Sequence, residues 1–401
     1  MSHASDALDE AVAGFREIFE RLEAEAGVRD QSRKHPYEFV RELVDAGFGR
    51  LRVPVEQGGF GVDLPTLFRL LAEAGKADSN VPQILRGHFT AVEILRHADD
   101  PETGDFWLRE IARGAVFGNA QSEAAGTSPD FGITTRVHEV DGQRVVSGTK
   151  FYSTGSLFAD HIRVAVADDD GNRWFAVVPA RHPGVTHAED WDGIGQRLTG
   201  SGTTVFDAVP VERNGELGRF KENLRSLPSF VQIVHLANLA GIARSLVDET
   251  VAVVKSRART SLHARSEQAT QDSEVLGVVG RLYAHRLTVD SLLGTVAEGL
   301  DAADRDGSEE AYAANYIDVS AAQITLIEAV LDAATIAFNA GGSTAVRESV
   351  HLDRHWRNAR TLASHNPVVY KPGVVGDFVV NGVTPTSSYD RDRRSQEGQQ
   401  Q

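Results

Sequence analysis

The first part of the chain, residues 1–113, has the hydrophobic spacing of amphipathic helices. Over residues 7–26, apolar side chains recur every three or four positions and would share one helix face: Leu8, Val12, Phe15, Ile18, Phe19 and Leu22. The same spacing predicts further helices over residues 37–46, 65–76, 81–97 and 104–112. We therefore predict an N-terminal α-helical domain over residues 1–113.

Between residues 114 and 214 the hydrophobic period changes to two, which is typical of half-buried strands. Alternating valines over residues 137–146 flank the dipeptide Asp141-Gly142, a strong short-range signal for a β-hairpin. Other strands are predicted over residues 162–167, 174–179 and 203–211. This region is therefore predicted to be a small central β-domain, either a barrel or a sandwich.

Helical periodicity returns near residue 227 and continues to about residue 362. It predicts four long helices, over residues 229–255, 273–300, 309–339 and 346–362, which would pack as an antiparallel four-helix bundle in a C-terminal domain of residues 227–386. Residues 387–401, rich in Ser, Asp, Arg and Gln, are predicted to be a disordered tail. The predicted fold class is α+β, with several domains.

The composition of the chain argues against some classes of binding partner. The chain has 401 residues with 41% hydrophobic content, enough for a sizeable core, and 41 Lys plus Arg against 57 Asp plus Glu give a net charge of −16. Such a charge argues against a nucleic-acid partner and an anionic membrane surface. Cysteine is absent, which excludes disulfides and thiolate chemistry. Because the sequence has neither a signal-peptide pattern at its start nor an 18-residue uncharged apolar run, we predict a cytoplasmic protein.

Two polar, glycine-bearing turns, residues 118–130 and 147–155, flank the predicted hairpin. The hairpin would bring the turns side by side, so that the amide of Asn119 and the hydroxyls of Ser122, Ser153 and Thr154 face one crevice. These groups offer hydrogen bonds without charge neutralisation. They suit a planar ligand rich in heteroatoms, and a flavin ring is such a ligand.

The two turns resemble the flavin-binding β-domain of the acyl-CoA dehydrogenase superfamily. The family patterns T-E-P-x-A-G-S-D and G-x-K-x-W-I-T-N correspond here to S-E-A-A-G at residues 122–126 and G-T-K-F-Y-S-T-G at residues 148–155. The loop at residues 54–61 resembles the family's P-x-x-x-G-G-x-G segment, and the order of helices, β-domain and bundle is also that of the family. The resemblance is closer to the oxygen-activating branch, the dibenzothiophene monooxygenase-like enzymes. It implies a flavin between β-domain and bundle, and a homo-oligomer, expected to be a tetramer.

A missing carboxylate distinguishes this chain from the family's dehydrogenases. Their α-proton is removed by a glutamate, which lies either in a Y-E-G-T motif after the last bundle helix or near the start of the first bundle helix. Here Ser-His-Asn-Pro stands at residues 364–367, and Val231 occupies the other position. The resemblance therefore implies a two-component monooxygenase, in which a flavin hydroperoxide formed from reduced flavin and O₂ is protected from water and stabilised by neutral or cationic donors. An acyl-CoA dehydrogenase with a displaced base and a non-catalytic flavin-binding scaffold remain as alternatives.

The resemblance also implies roles for particular residues. His365 is expected to steer or protonate the peroxide, since an imidazole can donate or accept near neutral pH, and His88 and Thr154 are further catalytic candidates. Cofactor contacts are expected from these residues: Asn119, Ser122, Tyr152, Ser153, Thr154, Trp191, Arg259 and His365. The competing interpretations are core packing for the histidines and for Trp191, turn capping for Asn119 and Thr154, and a solvated charged face for Arg259.

The sequence favours FMN slightly over FAD. The family's Q-x-x-G-G segment, which contacts the adenosine of FAD, keeps Gly341 and Gly342 but has Phe338 at the glutamine position, and Thr344 replaces an expected arginine. Neither a dinucleotide G-x-G-x-x-G loop nor an H-E-x-x-H motif occurs, so we expect no metal and expect reduced flavin to come from a separate reductase. The expected substrate is an aromatic heterocycle, an organosulfur compound or a related amine or phenol.

Overall fold

The computed structural model of the chain describes residues 2–123, 133–219, 224–257, 261 and 263–385. Its N-terminal part forms the predicted helices: α1 (Ser2–Ser32), α2 (Tyr37–Asp45), α3 (Leu64–Ala77), α4 (Asn80–Arg96) and α5 (Pro101–Ala112). The first helix is longer at both ends than predicted. α3 is capped at its N-terminus by Asp63, whose carboxylate accepts a hydrogen bond from the backbone N–H of Thr66 at 2.8 Å, and Pro65 lies in its first turn.

The middle of the chain forms one mixed sheet. Its strands are β1 (Phe117–Ala120), β2 (Arg136–Val140), β3 (Gln143–Lys150), β4 (His161–Ala167), β5 (Arg173–Pro179), β6 (Val185–His187), β7 (Thr204–Pro210) and β8 (Glu216–Arg219). The order is β6-β7-β3-β2-β4-β5-β8, and β1 pairs in parallel with β4. The predicted hairpin is confirmed: β2 and β3 are antiparallel, and Asp141 and Gly142 both have positive φ, at 52° and 79°, as a tight hairpin turn requires.

The C-terminal part contains the predicted long helices, which are α6 (Leu227–Ser256), α7 (Ser273–Asp306), α8 (Glu309–Gly341) and α9 (Asp353–His365). The predicted start of the last of these, at residue 346, was wrong because two 3-10 turns, Gly342–Thr344 and Glu348–Val350, precede it. A fifth helix, α10 (Lys371–Asn381), was not predicted, since Pro372, Gly373 and Gly376 interrupt its helical pattern.

Two apolar clusters hold these parts together. One joins the N-terminal helices to the bundle and includes Phe15, Leu71 and Leu236, and another lies within the sheet. Two helical segments, α6 and the stretch from α8 to Thr344, are long and apolar enough to cross a membrane, but 83% and 56% of their apolar windows are buried inside the protein. Core helices of this kind pass the same test of length and composition. The division into domains at residues 113, 214 and 227 stays a prediction, and the predicted tail, residues 387–401, lies outside the described residues.

Candidate active site

A cavity of about 190 Å³ lies where α4, the sheet and the bundle meet. Five residues predicted as site residues line it together: Asn119, Ser122, Tyr152, Thr154 and His365. Much of its apolar wall comes from Ile94, Phe175, Leu217, Leu224, Leu227 and Val231. Among the described residues that line this cavity there is no aspartate or glutamate.

Both positions at which the family's dehydrogenases carry their base belong to this cavity. Val231, on the second turn of α6, and His365, the last residue of α9, both line it. An apolar side chain and an imidazole thus occupy the places where a carboxylate would be needed to remove an α-proton.

The two polar turns are held together behind the cavity wall by a buried ion pair. Phe151 donates its backbone N–H to the carbonyl of Ser122 at 2.8 Å, and the ammonium of Lys150, which is fully buried, lies 2.7 Å from Glu123 Oε1. The carboxylate of Glu123 also accepts hydrogen bonds from the backbone N–H and the hydroxyl of both Thr134 and Thr135, at 2.6–2.9 Å.

These contacts fix the charge of Glu123. Burial alone would raise the pKa of Glu123, but the hydrogen bonds from Lys150 and Thr134 and from the backbone of Thr135 together lower that pKa to about 2. Burial in turn lowers the pKa of Lys150, against the attraction of Glu123. The carboxylate of Glu123 is therefore committed to the structure of the turns and is not a free base.

A chain of hydroxyls leads away from Thr154. Thr154 Oγ1 lies 2.7 Å from Ser201 Oγ, which lies 2.7 Å from Thr199 Oγ1, and Thr199 donates to the carbonyl of Gln196 at 2.9 Å. The indole N–H of Trp191 donates to the same carbonyl at 2.8 Å. Thr154, Ser201 and Trp191, which are far apart in sequence, thus form one network beside the cavity.

The structure places two other predicted cofactor residues, Trp191 and Ser153, outside the cavity lining. Trp191 does not line the cavity, although its ring lies edge-on to that of Tyr152, with centroids 6.1 Å apart, and Tyr152 does line it. Ser153 is 1% exposed and also lies outside the lining, and its hydroxyl has no hydrogen-bond partner among the described residues. Arg259 lies outside the described residues.

Asn119 is oriented by a residue that the sequence analysis missed. Arg163, buried on β4, donates from Nη2 to Asn119 Oδ1 at 3.2 Å, and its guanidinium lies 3.9 Å from the ring centroid of Phe175. Because Oδ1 accepts this bond, the amide N–H groups of Asn119 remain as donors for a ligand. The available signal was an arginine within the otherwise apolar strand from residue 161 to residue 167.

His365 lies among groups that keep it neutral. His365 is an exposed residue that lines the cavity, and desolvation of its ring together with the positive charge of Arg86 lowers the pKa of His365 to about 3. The ring of His235, buried on α6, packs edge-on against it at 4.5 Å. Burial and Arg86 also lower the pKa of His235. A neutral imidazole can still donate one hydrogen bond.

The structure places His88, a predicted catalytic candidate, outside the cavity and in a bridging position between backbone groups. His88 is fully buried and lies outside the cavity lining, and its Nε2–H donates to the carbonyl of Gly49 at 2.7 Å while Nδ1 accepts from the backbone N–H of Phe117 at 3.2 Å. Burial lowers its pKa to about 4. Both ring nitrogens are therefore used to join α4 to β1 and to the turn at residue 49.

The donor set of the cavity fits a flavin ring. It offers amides, hydroxyls, an imidazole and two guanidinium groups, and it lacks a carboxylate among the described lining residues. An anionic or electron-rich ring would meet no repulsion from these side chains.

Comparison with known families agrees with this arrangement. Residues 5–115 match the family model described as "Acyl-CoA dehydrogenase, N-terminal domain", and residues 233–370 match "Acyl-CoA dehydrogenase, C-terminal domain". Together the two matches cover more than half of the chain.

The similarity to individual proteins covers nearly the whole chain. The chain is 27% identical to a probable FMNH2-dependent monooxygenase, SfnC, from Pseudomonas putida, over 94% of this chain and 97% of that protein. It is 29% identical to a dibenzothiophene monooxygenase from Rhodococcus qingshengii, over 96% of each. The solved structure of TdsC from Paenibacillus sp. A11-2 with FMN and indole superposes with a TM-score of 0.87 at 25% identity, over 95% of this chain and 99% of that one.

Proposed function

The chain belongs to the acyl-CoA dehydrogenase family, and on that premise we propose that it is a flavin-dependent monooxygenase of the kind its relatives represent. It uses reduced FMN and O₂ to oxygenate an aromatic heterocycle, an organosulfur compound or a related amine or phenol. The observation that carries this proposal is the cavity itself, in which the flavin-type turns meet Val231 and His365 and no described lining residue is a carboxylate.

The residues of the cavity divide into three roles. Asn119 and Thr154, with Ser122 and Tyr152, hold the flavin ring by hydrogen bonds. Reduced FMN, when bound, supplies the electrons for activating O₂. The apolar wall excludes water from the reacting oxygen, which in such sites prevents loss of a reactive species to solvent. His365 donates a hydrogen bond from its neutral ring to oxygen, and Arg259 is proposed to bind the phosphate.

We also propose a partner, an oligomeric state and a compartment for the enzyme. A separate reductase supplies the reduced FMN, because the sequence has no nicotinamide-binding loop. A homotetramer is supported by large apolar side chains exposed on α7 and α10, among them Leu276, Tyr283, Leu287, Val379 and Val380. We place the enzyme in the cytoplasm. Analytical ultracentrifugation tests the tetramer, and a monomer at micromolar concentration would contradict it.

Oxygen-18 labelling tests the activity. Purified protein is supplied with enzymatically reduced FMN and ¹⁸O₂ and is assayed with indole, dibenzothiophene and smaller organosulfur compounds. One atom of ¹⁸O is expected in a product of at least one of these substrates. Release of hydrogen peroxide alone, with no labelled product from any of them, would contradict the proposal.

Substitution of His365 separates its role from flavin binding. His365→Ala is expected to keep FMN affinity and to lose coupling of oxygen consumption to product, while the matched control His263→Ala, at an exposed loop position, is expected to keep both. Unchanged coupling in His365→Ala would remove this residue from the mechanism.

The dehydrogenase alternative predicts a different reaction. Anaerobic addition of an acyl-CoA to the FMN-loaded protein would bleach the flavin if a base were available. We expect no bleaching, since the described lining has no carboxylate. A non-catalytic scaffold would bind FMN but give no labelled product with any variant.

A further inference from the structure

The hydroxyl chain from Thr154 to Gln196 has only one arrangement of protons that makes all of its contacts. Each hydroxyl has one proton to donate and can accept two hydrogen bonds. The carbonyl of Gln196 can only accept, so Thr199 donates its proton there at 2.9 Å. The contact between Ser201 and Thr199 therefore requires Ser201 to donate, and the contact between Thr154 and Ser201 requires Thr154 to donate.

This order leaves Thr154 as a hydrogen-bond acceptor toward the cavity. Among the described residues, the one other acceptor within reach of its proton is the carbonyl of Tyr152 at 3.5 Å, whereas Ser201 Oγ is 2.7 Å away. Thr154 is also one of the residues that line the cavity.

The backbone keeps the two segments of the chain in register. Ser153 donates its N–H to the carbonyl of Gly202 at 3.1 Å, and Gly155 donates to the carbonyl of Thr199 at 3.2 Å. Ser201 and Thr199 are buried, so water does not compete for their protons. The direction of the chain is therefore a fixed property of the fold.

We propose that Ser201 and Thr199 are positioning residues that make the site selective for the reduced flavin ring over the oxidised ring. This inference rests on the proposed function, in that the cavity is taken to bind FMN. Reduction of a flavin adds N–H groups where the oxidised ring has bare acceptor nitrogens. An acceptor hydroxyl at Thr154 pairs with such an N–H and is mismatched with a bare nitrogen, because an unmade hydrogen bond costs more than a made one contributes.

The test compares the affinities of the two redox states. Oxidised FMN is titrated by fluorescence quenching and reduced FMN is titrated anaerobically, and the ratio of the two dissociation constants is measured for wild type and for Ser201→Ala. In the variant the Thr154 proton is released, and its hydroxyl can rotate to donate or to accept. We expect the preference for reduced FMN to fall about fivefold. This change corresponds to a midpoint potential of bound FMN lower by about 20 mV.

Three further variants test whether the effect comes from the hydroxyl chain. Thr199→Val frees the Ser201 proton and is expected to lower the preference for reduced FMN in the same way. Ser201→Thr keeps a hydroxyl and is expected to keep the preference of wild type. Thr203→Val is the matched control in the same loop, because its hydroxyl donates to Asp190 at 2.7 Å, outside the chain. Its ratio is expected to match that of wild type.

The outcomes separate the inference from the proposed function. If wild type binds neither form of FMN, the proposed function fails. If wild type binds FMN but Ser201→Ala and Thr199→Val keep its ratio, the inference is refuted and the proposed function stands. An equal change of ratio in Thr203→Val would likewise refute it, since a general disturbance of the loop would then explain the result.

Discussion

Replacing Glu123 with glutamine tests whether the buried pair with Lys150 holds the two turns of the cavity in place. The substitution keeps the shape of the side chain but removes its charge, and it leaves the fully buried ammonium of Lys150 without its counter-charge. Truncating one partner of a buried pair is usually strongly destabilising. The free energy of unfolding should therefore fall, and the turns around Ser122 should loosen.

The structure bounds the size of this effect. The difference between the ordinary pKa of 4.5 and about 2 corresponds to about 3 kcal/mol, and screening at the 11% of the Glu123 side chain that is exposed reduces it to about 2 kcal/mol. The upper limit is the cost of deprotonating Lys150 at pH 7, about 5 kcal/mol from its ordinary pKa of 10.5. We expect a loss of about 2–5 kcal/mol.

Urea unfolding at pH 7 and one fixed protein concentration measures the loss. The matched control is Glu139→Gln, an exposed carboxylate on β2, for which little change is expected. The double variant Glu123→Gln with Lys150→Met should recover part of the loss, because no unpaired charge remains. A loss below about 1 kcal/mol, or no recovery in the double variant, would refute the reasoning.

The same pair predicts a pH dependence. Because the folded-state pKa of Glu123 lies below its unfolded value, its contribution is fully present above pH 4.5 and is lost as the pH falls toward 2. The stability difference between wild type and the double variant Glu123→Gln with Lys150→Met, which carries neither charge, should therefore shrink by about 1 kcal/mol between pH 7 and pH 4. A difference that stays constant over this range would contradict the lowered pKa.

Other substitutions and titrations separate structural residues from site residues. His88→Ala should lower the free energy of unfolding by about 2–4 kcal/mol but leave oxygenation by the folded, FMN-loaded protein unchanged, and a large loss of turnover would return His88 to the site. Gly155→Ala should weaken FMN binding by about tenfold or more, because φ is +80° and a Cβ would lie 2.2 Å from the carbonyl oxygen of Ile84; near-normal affinity by fluorescence titration would contradict this. The ring protons of His365 should show no titration by NMR between pH 5 and 8, since its pKa is lowered to about 3, and an inflection there would contradict that pKa.

The sequence predicted the elements that local patterns determine. The helical period located α1 to α9, and the dipeptide Asp141-Gly142 located the hairpin, because these signals come from neighbouring residues. The helix α10 was missed because its glycines and proline weaken the local signal. The resemblance to the family singled out Asn119, Thr154 and His365 as site residues. They come from three different parts of the fold, and all three line one cavity.

The sequence did not reveal which groups each side chain contacts in the folded protein. The pattern around His88 is that of a site histidine, but its two nitrogens are used by backbone groups 39 and 29 residues away, which only the tertiary fold brings near. Arg163, Arg86 and His235 were missed for the same reason, since a polar residue in an apolar run signals a buried contact but does not identify its partner.

The distribution of charge links these observations to the choice of chemistry. The carboxylate of Glu123, which is not among the lining residues, is paired with Lys150, whereas Arg86 and Arg163 line the cavity. The guanidinium groups of Arg86 and Arg163 offer hydrogen-bond donors to a bound ring or to oxygen, and desolvation together with the charge of Arg86 keeps the imidazole of His365 neutral. Removal of an α-proton needs a base, in this family a free carboxylate that faces the ligand. The donors that line the cavity and the lack of a carboxylate among its described lining residues therefore favour reductive activation of O₂ over dehydrogenation.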